Sequence, residues 1–257
     1  RPELSEPVGR PELPEPSLPE RIFNWFGFGS APETAPDNEG STPEVYDSPN
    51  HVNERTFTDE NGNTFKSRSG ITHWETRDPN APVAYSEVPI TDILEATITP
   101  ETGTTADHDG KPDLPVLRVD MKLPADAKPG DTYTVALNMP WAVPSSFQDE
   151  IKDSRGHVFA VASPNWVHQE ELDRTWASEV NIVLTDLVAE ATAISGFMSV
   201  QLNYAYKNVD VVEPIIVTSG GEEIGRSGDW TIAKGGQLGA GCIMHGGVPG
   251  VGEYASM

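Results

Sequence analysis

At 257 residues the chain has room for one or two domains, and its 23 Gly and 23 Pro, many of the latter in the first ninety residues, make the globular part shorter than the whole. Apolar residues make up 37 %, below the roughly 45–50 % of compact domains, so a polar portion dilutes the average. Acidic residues outnumber basic ones 40 to 17, and the formal charge of −23 argues against nucleic-acid partners and against docking on anionic lipid.

The chain opens on a near-repeat, Arg1-Pro2-Glu3-Leu4-Ser5-Glu6-Pro7 and Arg10-Pro11-Glu12-Leu13-Pro14-Glu15-Pro16. Frequent Pro removes backbone donors and favours extended chain, so residues 1–53 are expected to be a Pro/Glu-rich disordered arm. Within it, Ile22-Phe23-Asn24-Trp25-Phe26-Gly27-Phe28 is an aromatic patch suited to docking on a folded surface or a partner. Residues 54–89 form a lead-in. Thr56-Phe57-Thr58 and Thr64-Phe65-Lys66 flank Asp59-Glu60-Asn61-Gly62-Asn63, and an Asn-Gly pair between β-favouring runs predicts a hairpin packed on the domain C-terminal to it.

Strict alternation begins after Ile90. Leu117, Val119 and Met121 alternate with Arg118, Asp120 and Lys122, and Tyr133, Val135 and Leu137 with Thr134 and Ala136. Val180, Ile182 and Leu184 repeat the pattern, and Met198, Val200, Leu202, Tyr204 and Tyr206 form its longest run. A period of two puts one set of side chains in a core and the other in water. Pro124-Ala125-Asp126, Lys128-Pro129-Gly130-Asp131, Asp153-Ser154-Arg155-Gly156 and Ser195-Gly196 supply the turns between strands. Only Glu170–Trp176 and Leu187–Ala193 read as helical. The expected class is all-β, a sandwich or barrel. After Val217 come a turn at Ser219-Gly220-Gly221-Glu222, a short strand at Trp230-Thr231-Ile232, and a glycine-crowded stretch from Lys234. Residues 218–257 are expected to be a connector or the start of a second, truncated domain.

Four passages resemble the N-terminal Ig-like domain of Gram-positive surface adhesins, specifically the collagen-binding MSCRAMM group. They are Ile90-Thr91-Asp92-Ile93 as an opening strand, Pro129-Gly130-Asp131-Thr132-Tyr133-Thr134-Val135 as a turn into a core strand, and Asp153-Ser154-Arg155-Gly156-His157-Val158-Phe159-Ala160 as a hairpin. The fourth joins Val180-Asn181-Ile182-Val183-Leu184-Thr185-Asp186-Leu187-Val188 to Ile194-Ser195-Gly196-Phe197. The resemblance implies an Ig-like antiparallel sandwich of Greek-key type over residues 90–217, in a secreted, cell-wall-attached virulence protein whose anchor is outside this chain. It also implies adhesion to a host matrix or plasma protein, and a monomeric, non-enzymatic segment. A carbohydrate-binding accessory module of a secreted enzyme, or a structural stalk domain, stands as the alternative.

Chemistry-bearing residues are sparse. The six histidines show no zinc-type spacing, no nucleophile elbow or phosphate-binding loop is present, and no run of ~20 apolar residues spans a bilayer. Asp107, Asp109 and Asp113 could gather round Ca²⁺, but a solvated acidic loop explains them as well. The single Cys242 forms no intrachain disulfide; a thioester with Gln237 is conceivable beside a plain free thiol. An isopeptide bond from Lys122 to Asn203 or Asn208, assisted by Asp120 or Asp186, needs a desolvated amine, whereas Lys122 alternates outward. No cofactor or metal is therefore expected. Trp141, Trp166 and Trp176 are the candidate ligand-binding residues. Trp141 and Trp166 sit at strand ends, and each of the three acts either as an anchor for a partner or as a plug for one end of the core.

Overall fold

The period-two segments become strands with one face inward. In β6 (Val116–Lys122), Leu117, Val119 and Met121 are buried while Val116 and Lys122 are exposed. The computed structural model describes residues 43–58, 64–83, 85, 87–105, 114–169, 174–204 and 211–232. The strands before β6 are β1 (Val45–Asp47), β2 (Asn53–Thr58), β3 (Thr64–Thr76), β4 (Leu94–Thr99) and β5 (Gly103–Thr104). Those after it are β7 (Thr132–Leu137), β8 (Trp141–Ala142), β9 (Asp149–Lys152), β10 (Val158–Gln169), β11 (Arg174–Leu184), β12 (Ala191–Gln201), β13 (Asn203–Tyr204), β14 (Val211–Ser219) and β15 (Glu222–Ile232).

They form two main sheets, and the protein is all-β. One runs β1-β3-β12-β6-β4, with β2 also paired to β3; the other runs β5-β15-β14-β7-β11-β10-β9. Pairing is antiparallel except between β15 and β5. Inward residues of both sheets, among them Ile71, Leu117, Val200, Val135, Ile182 and Val217, join one core. The hairpin expected before the alternating region is present, with Thr58 opposite Thr64 and Phe57 opposite Phe65. Its turn, residues 59–63, lies outside the described residues. The glycine turn at 220–221 closes the β14–β15 hairpin with φ of 58° and 88°, a double positive-φ geometry that glycine adopts without strain.

Four expectations are corrected. Ile90–Ile93 is not an opening strand but a single helical turn, in which Asp92 N–H donates to the Pro89 carbonyl at 2.9 Å. Spacing of three, not two, brings Ile93 into the core and Ile90 against it. The expected helices are also absent from the described residues. Of Glu170–Trp176, residues 174–176 belong to β11 and 170–173 lie outside the described residues, and of Leu187–Ala193 only the 3-10 turn Asp186–Ala189 is helical before β12 begins at Ala191. The run through Tyr204 is broken: β12 ends at Gln201, and Asn203–Tyr204 pair instead with Trp141–Ala142; Tyr206 lies outside the described residues.

The fourth correction concerns the limits 90–217. β1 and β3 belong to the first sheet, β3 pairing along β12 from Thr76↔Ala191 to Ser67↔Val200, so strand structure reaches into the expected arm and lead-in. At the other end residues 218–257 are expected to be a connector or the start of a second domain, with a short strand only at 230–232; β15 covers all eleven residues Glu222–Ile232 and pairs with β14. The inward positions of β15, Ile224, Ser227 and Trp230, are three apart because register shifts insert extra residues there. A period-two pattern cannot reveal such a strand. Among the described residues no helix is long and apolar enough to cross a membrane.

Candidate functional site

Of the three candidate tryptophans, Trp141 and Trp176 are 0 % and 2 % exposed, so neither is a surface anchor. Trp141, on β8, stands edge-on to Tyr204 (6.0 Å) and Trp230 (5.6 Å), and the Trp176 indole N–H donates to the Trp141 carbonyl at 3.3 Å. The Trp141 and Trp176 rings are both interior, Trp141 within the core cluster, as the core-packing alternative has it. Trp166 is 43 % exposed on β10, where the register shift between Asn165 and Val167 turns it outward. The structure does not bring the three together as one surface.

The isopeptide pairing of Lys122 with Asn203 is ruled out by register. Lys122 faces out opposite Ser195, while Gln201, two residues before buried Asn203, lies opposite Val116. Lys122 and Asn203 thus occupy opposite ends of the β6–β12 ladder, roughly 20 Å or more apart at ~3.3 Å per residue. Asp107, Asp109, Asp113, Asn208, Gln237 and Cys242 lie outside the described residues. Among the described residues no group of three or more His, Cys, Asp or Glu is arranged to hold a metal ion.

The densest polar chemistry sits at the β9–β10 corner, which sequence read only as a turn. The side chain of Asp153 is fully buried. It accepts from the N–H groups of Arg155 (2.9 Å) and His157 (3.0 Å), from the Trp74 indole (3.2 Å), and pairs with the His157 ring at 3.1 Å. Burial alone would push its carboxyl up. The His157 amide, the Trp74 indole, the Arg155 amide and the His157 ring outweigh that and hold it below the usual carboxylate range. This fixes the turn, and Gly156 accepts its φ of 90°. Arg155 then projects over Tyr46 (5.1 Å) and Trp74 (5.4 Å), whose rings are stacked, and its guanidinium donates to Glu44. Tyr46 is locked by the Ser154 N–H, which donates to its hydroxyl at 3.1 Å.

Beside this corner opens a cleft of about 260 Å³ lined by Glu44, Trp74, Thr76, His157, Phe159, Leu187, Glu190 and Ala191. Three elements build it: the end of β3, the start of β10 and the 3-10 turn with the first residue of β12. Arg77 ties the first to the third, its Nη2 donating to the Ala191 carbonyl at 2.8 Å. Trp74 and Phe159 (5.6 Å apart) give it an apolar floor, with Glu44 and Glu190 at the rim. A larger hollow of about 460 Å³ beside the helical turn is lined by Asp92, Glu95, Asp120 and Lys122 but has no aromatic residue. The cleft is therefore the candidate binding site. The signal for it was present in sequence as Trp74 and the Asp153–Gly156 turn, but nothing local joins residues 74, 157 and 190.

A second buried carboxylate lies between β9 and β3. Asp149 is wholly buried and neither oxygen has a hydrogen-bond partner. Burial pushes its carboxyl above the usual range. The nearby hydroxyls of Ser67 and Ser69, the Arg55 charge and the Glu150 amide pull the other way without cancelling it. Arg55 stays 3.9 Å off and donates instead to the Gln148 carbonyl at 2.9 Å.

In comparison with known proteins, no family model matches the chain and no curated protein is matched.

Proposed function

We propose that the chain is a non-catalytic binding segment of a Gram-positive surface adhesin, secreted and attached to the cell wall through a part outside this sequence. Its fold is read as an Ig-like Greek-key sandwich. That reading draws support from β12, which lies between β3 and β6 although neither is its neighbour in sequence. The observation that carries the functional reading is convergence of the adhesin-like passages on the cleft. His157 and Phe159 come from the 153–160 passage, Leu187 from the 180–188 passage, and all three line it. A half-open cleft at a sandwich corner, floored by aromatics, suits capture of an extended polypeptide from the host matrix or plasma. The test is surface plasmon resonance of the whole chain over immobilised collagens, fibronectin and fibrinogen. Saturable binding to one of them is expected. The accessory-module alternative draws on exposed Trp166, whose ring is available for stacking on a sugar. A glycan array that responds while every matrix protein stays silent would replace the adhesin with that module.

A further inference from the structure

We infer that the cleft beside Trp74 receives a cationic side chain, lysine or arginine, from a partner polypeptide. The inference rests on the adhesin reading and gives its site a ligand chemistry.

The size selects a side chain. At about 260 Å³ the cleft is smaller than the roughly 300–1,000 Å³ of sites for drug-sized molecules. Its floor of Trp74, Phe159 and Leu187 matches an alkyl stem, and its rim carries carboxylates. The same aromatic group already holds one cation, since the Arg155 guanidinium lies within about 6 Å of both the Tyr46 and Trp74 ring centres with Glu44 as its counter-charge. Arg155 thereby neutralises Glu44, while at the far rim the Arg77 guanidinium is engaged by the Val188 and Ala191 carbonyls rather than by the Glu190 carboxylate. Glu190 makes no ion pair with any described residue, and its backbone is pinned, its carbonyl accepting from Arg77 N–H at 2.9 Å. A cation entering over Trp74 and Phe159 meets an aromatic floor and the exposed Glu190 carboxylate, which pairs with no described residue. The chain's charge of −23 favours its approach and disfavours an anionic occupant.

The test titrates the full chain with Nα-acetyl-lysine methylamide, Nα-acetyl-arginine methylamide and the uncharged Nα-acetyl-norleucine methylamide, followed by NMR. The Trp74 indole N–H, assigned from its loss in Trp74→Phe, is the reporter. Saturable shifts of Trp74 and His157 are expected with either cationic probe and not with norleucine. Glu190→Gln, a change at an exposed position, should weaken the cationic probes roughly fivefold, and Trp166→Ala should leave them unchanged. Equal response to norleucine, shifts that never saturate, or unaltered affinity in Glu190→Gln would overturn the inference. The two readings fail separately. Matrix-protein binding that survives Glu190→Gln, with no probe binding, removes the cationic site and leaves the adhesin. Probe binding that meets these criteria, with no matrix protein bound, keeps the site and removes the adhesin.

Discussion

The two sheets approach each other along two seams, and the seams are closed by opposite means. Along β9, an edge strand, the outward carbonyls of Gln148, Glu150 and Lys152 would otherwise be free to template another chain. Side chains from the β2–β3 hairpin cap them: Arg55 reaches Gln148 (2.9 Å), Ser69 reaches Glu150 (3.2 Å) and Asn53 reaches Lys152 (3.0 Å). Along the opposite seam, β4 meets β15 by the removal of side chains. A Cβ at Gly225 would lie 2.1 Å from the Ala96 carbonyl oxygen and 2.7 Å from its carbonyl carbon. One seam is polar, adaptable and carries a buried acid; the other is a close approach of backbones with nothing to adjust. Substitutions should therefore cost most where no side chain can give way.

The largest effect is expected from Gly225→Val. Its added carbons collide with backbone, so one of the strands must move, at about 3 kcal/mol. A urea unfolding midpoint lowered in proportion checks this; an unchanged midpoint would mean that the β4–β15 approach is loose. Next comes Asp149, which breaks the comparison by pH. Its carboxyl is raised in the folded chain, so the folded state binds the proton more tightly than the unfolded one. The stability contribution is complete below the ordinary carboxyl value of about 3.9 and declines as pH rises through the raised folded value. Asp149→Asn removes the buried charge. It should stabilise the chain at pH 7 by about 1 kcal/mol, with the advantage vanishing towards pH 3.5. Parallel melting-temperature profiles for the two proteins across that range would contradict it.

How legible these features were depends on whether they are local. Leu117, Val119 and Met121, or Val180, Ile182 and Leu184, announce their strands because each is two residues from the next on a regular ladder. The β2–β3 hairpin was legible for the same reason. Of β15 only the turn before it and its last three residues, Trp230-Thr231-Ile232, were legible, because its bulged register spaces the buried residues before them by three, and its Gly225 is explained by Ala96 of strand β4, some 130 residues earlier in the chain. Trp141 reads as a strand-end residue and Trp176 as the end of a helix, and neither position says whether a ring points into the core or out of it. Burial decided that, and left only Trp166 as an exposed candidate. The cleft needed tertiary structure throughout, since it joins residue 44 to residue 190.

The smaller effects sharpen the polar seam. Asn53→Ala leaves the Lys152 carbonyl without its 3.0 Å donor and should cost about 1 kcal/mol, the typical net value of one such bond. Arg68→Ala, on the neighbouring strand of the same hairpin, loses only the solvent-facing pair with Glu54 (2.8 Å) and should cost less than about 0.5 kcal/mol. Amide exchange distinguishes the two more sharply than melting does. The Asn53 variant should speed exchange in β9 while leaving β14 and β15 unaffected, because only one edge is uncapped. The Arg68 variant should speed neither. Equal, global acceleration in both would mean that the hairpin stabilises the chain through β3–β12 pairing alone, and that the capped carbonyls of β9 contribute nothing separate.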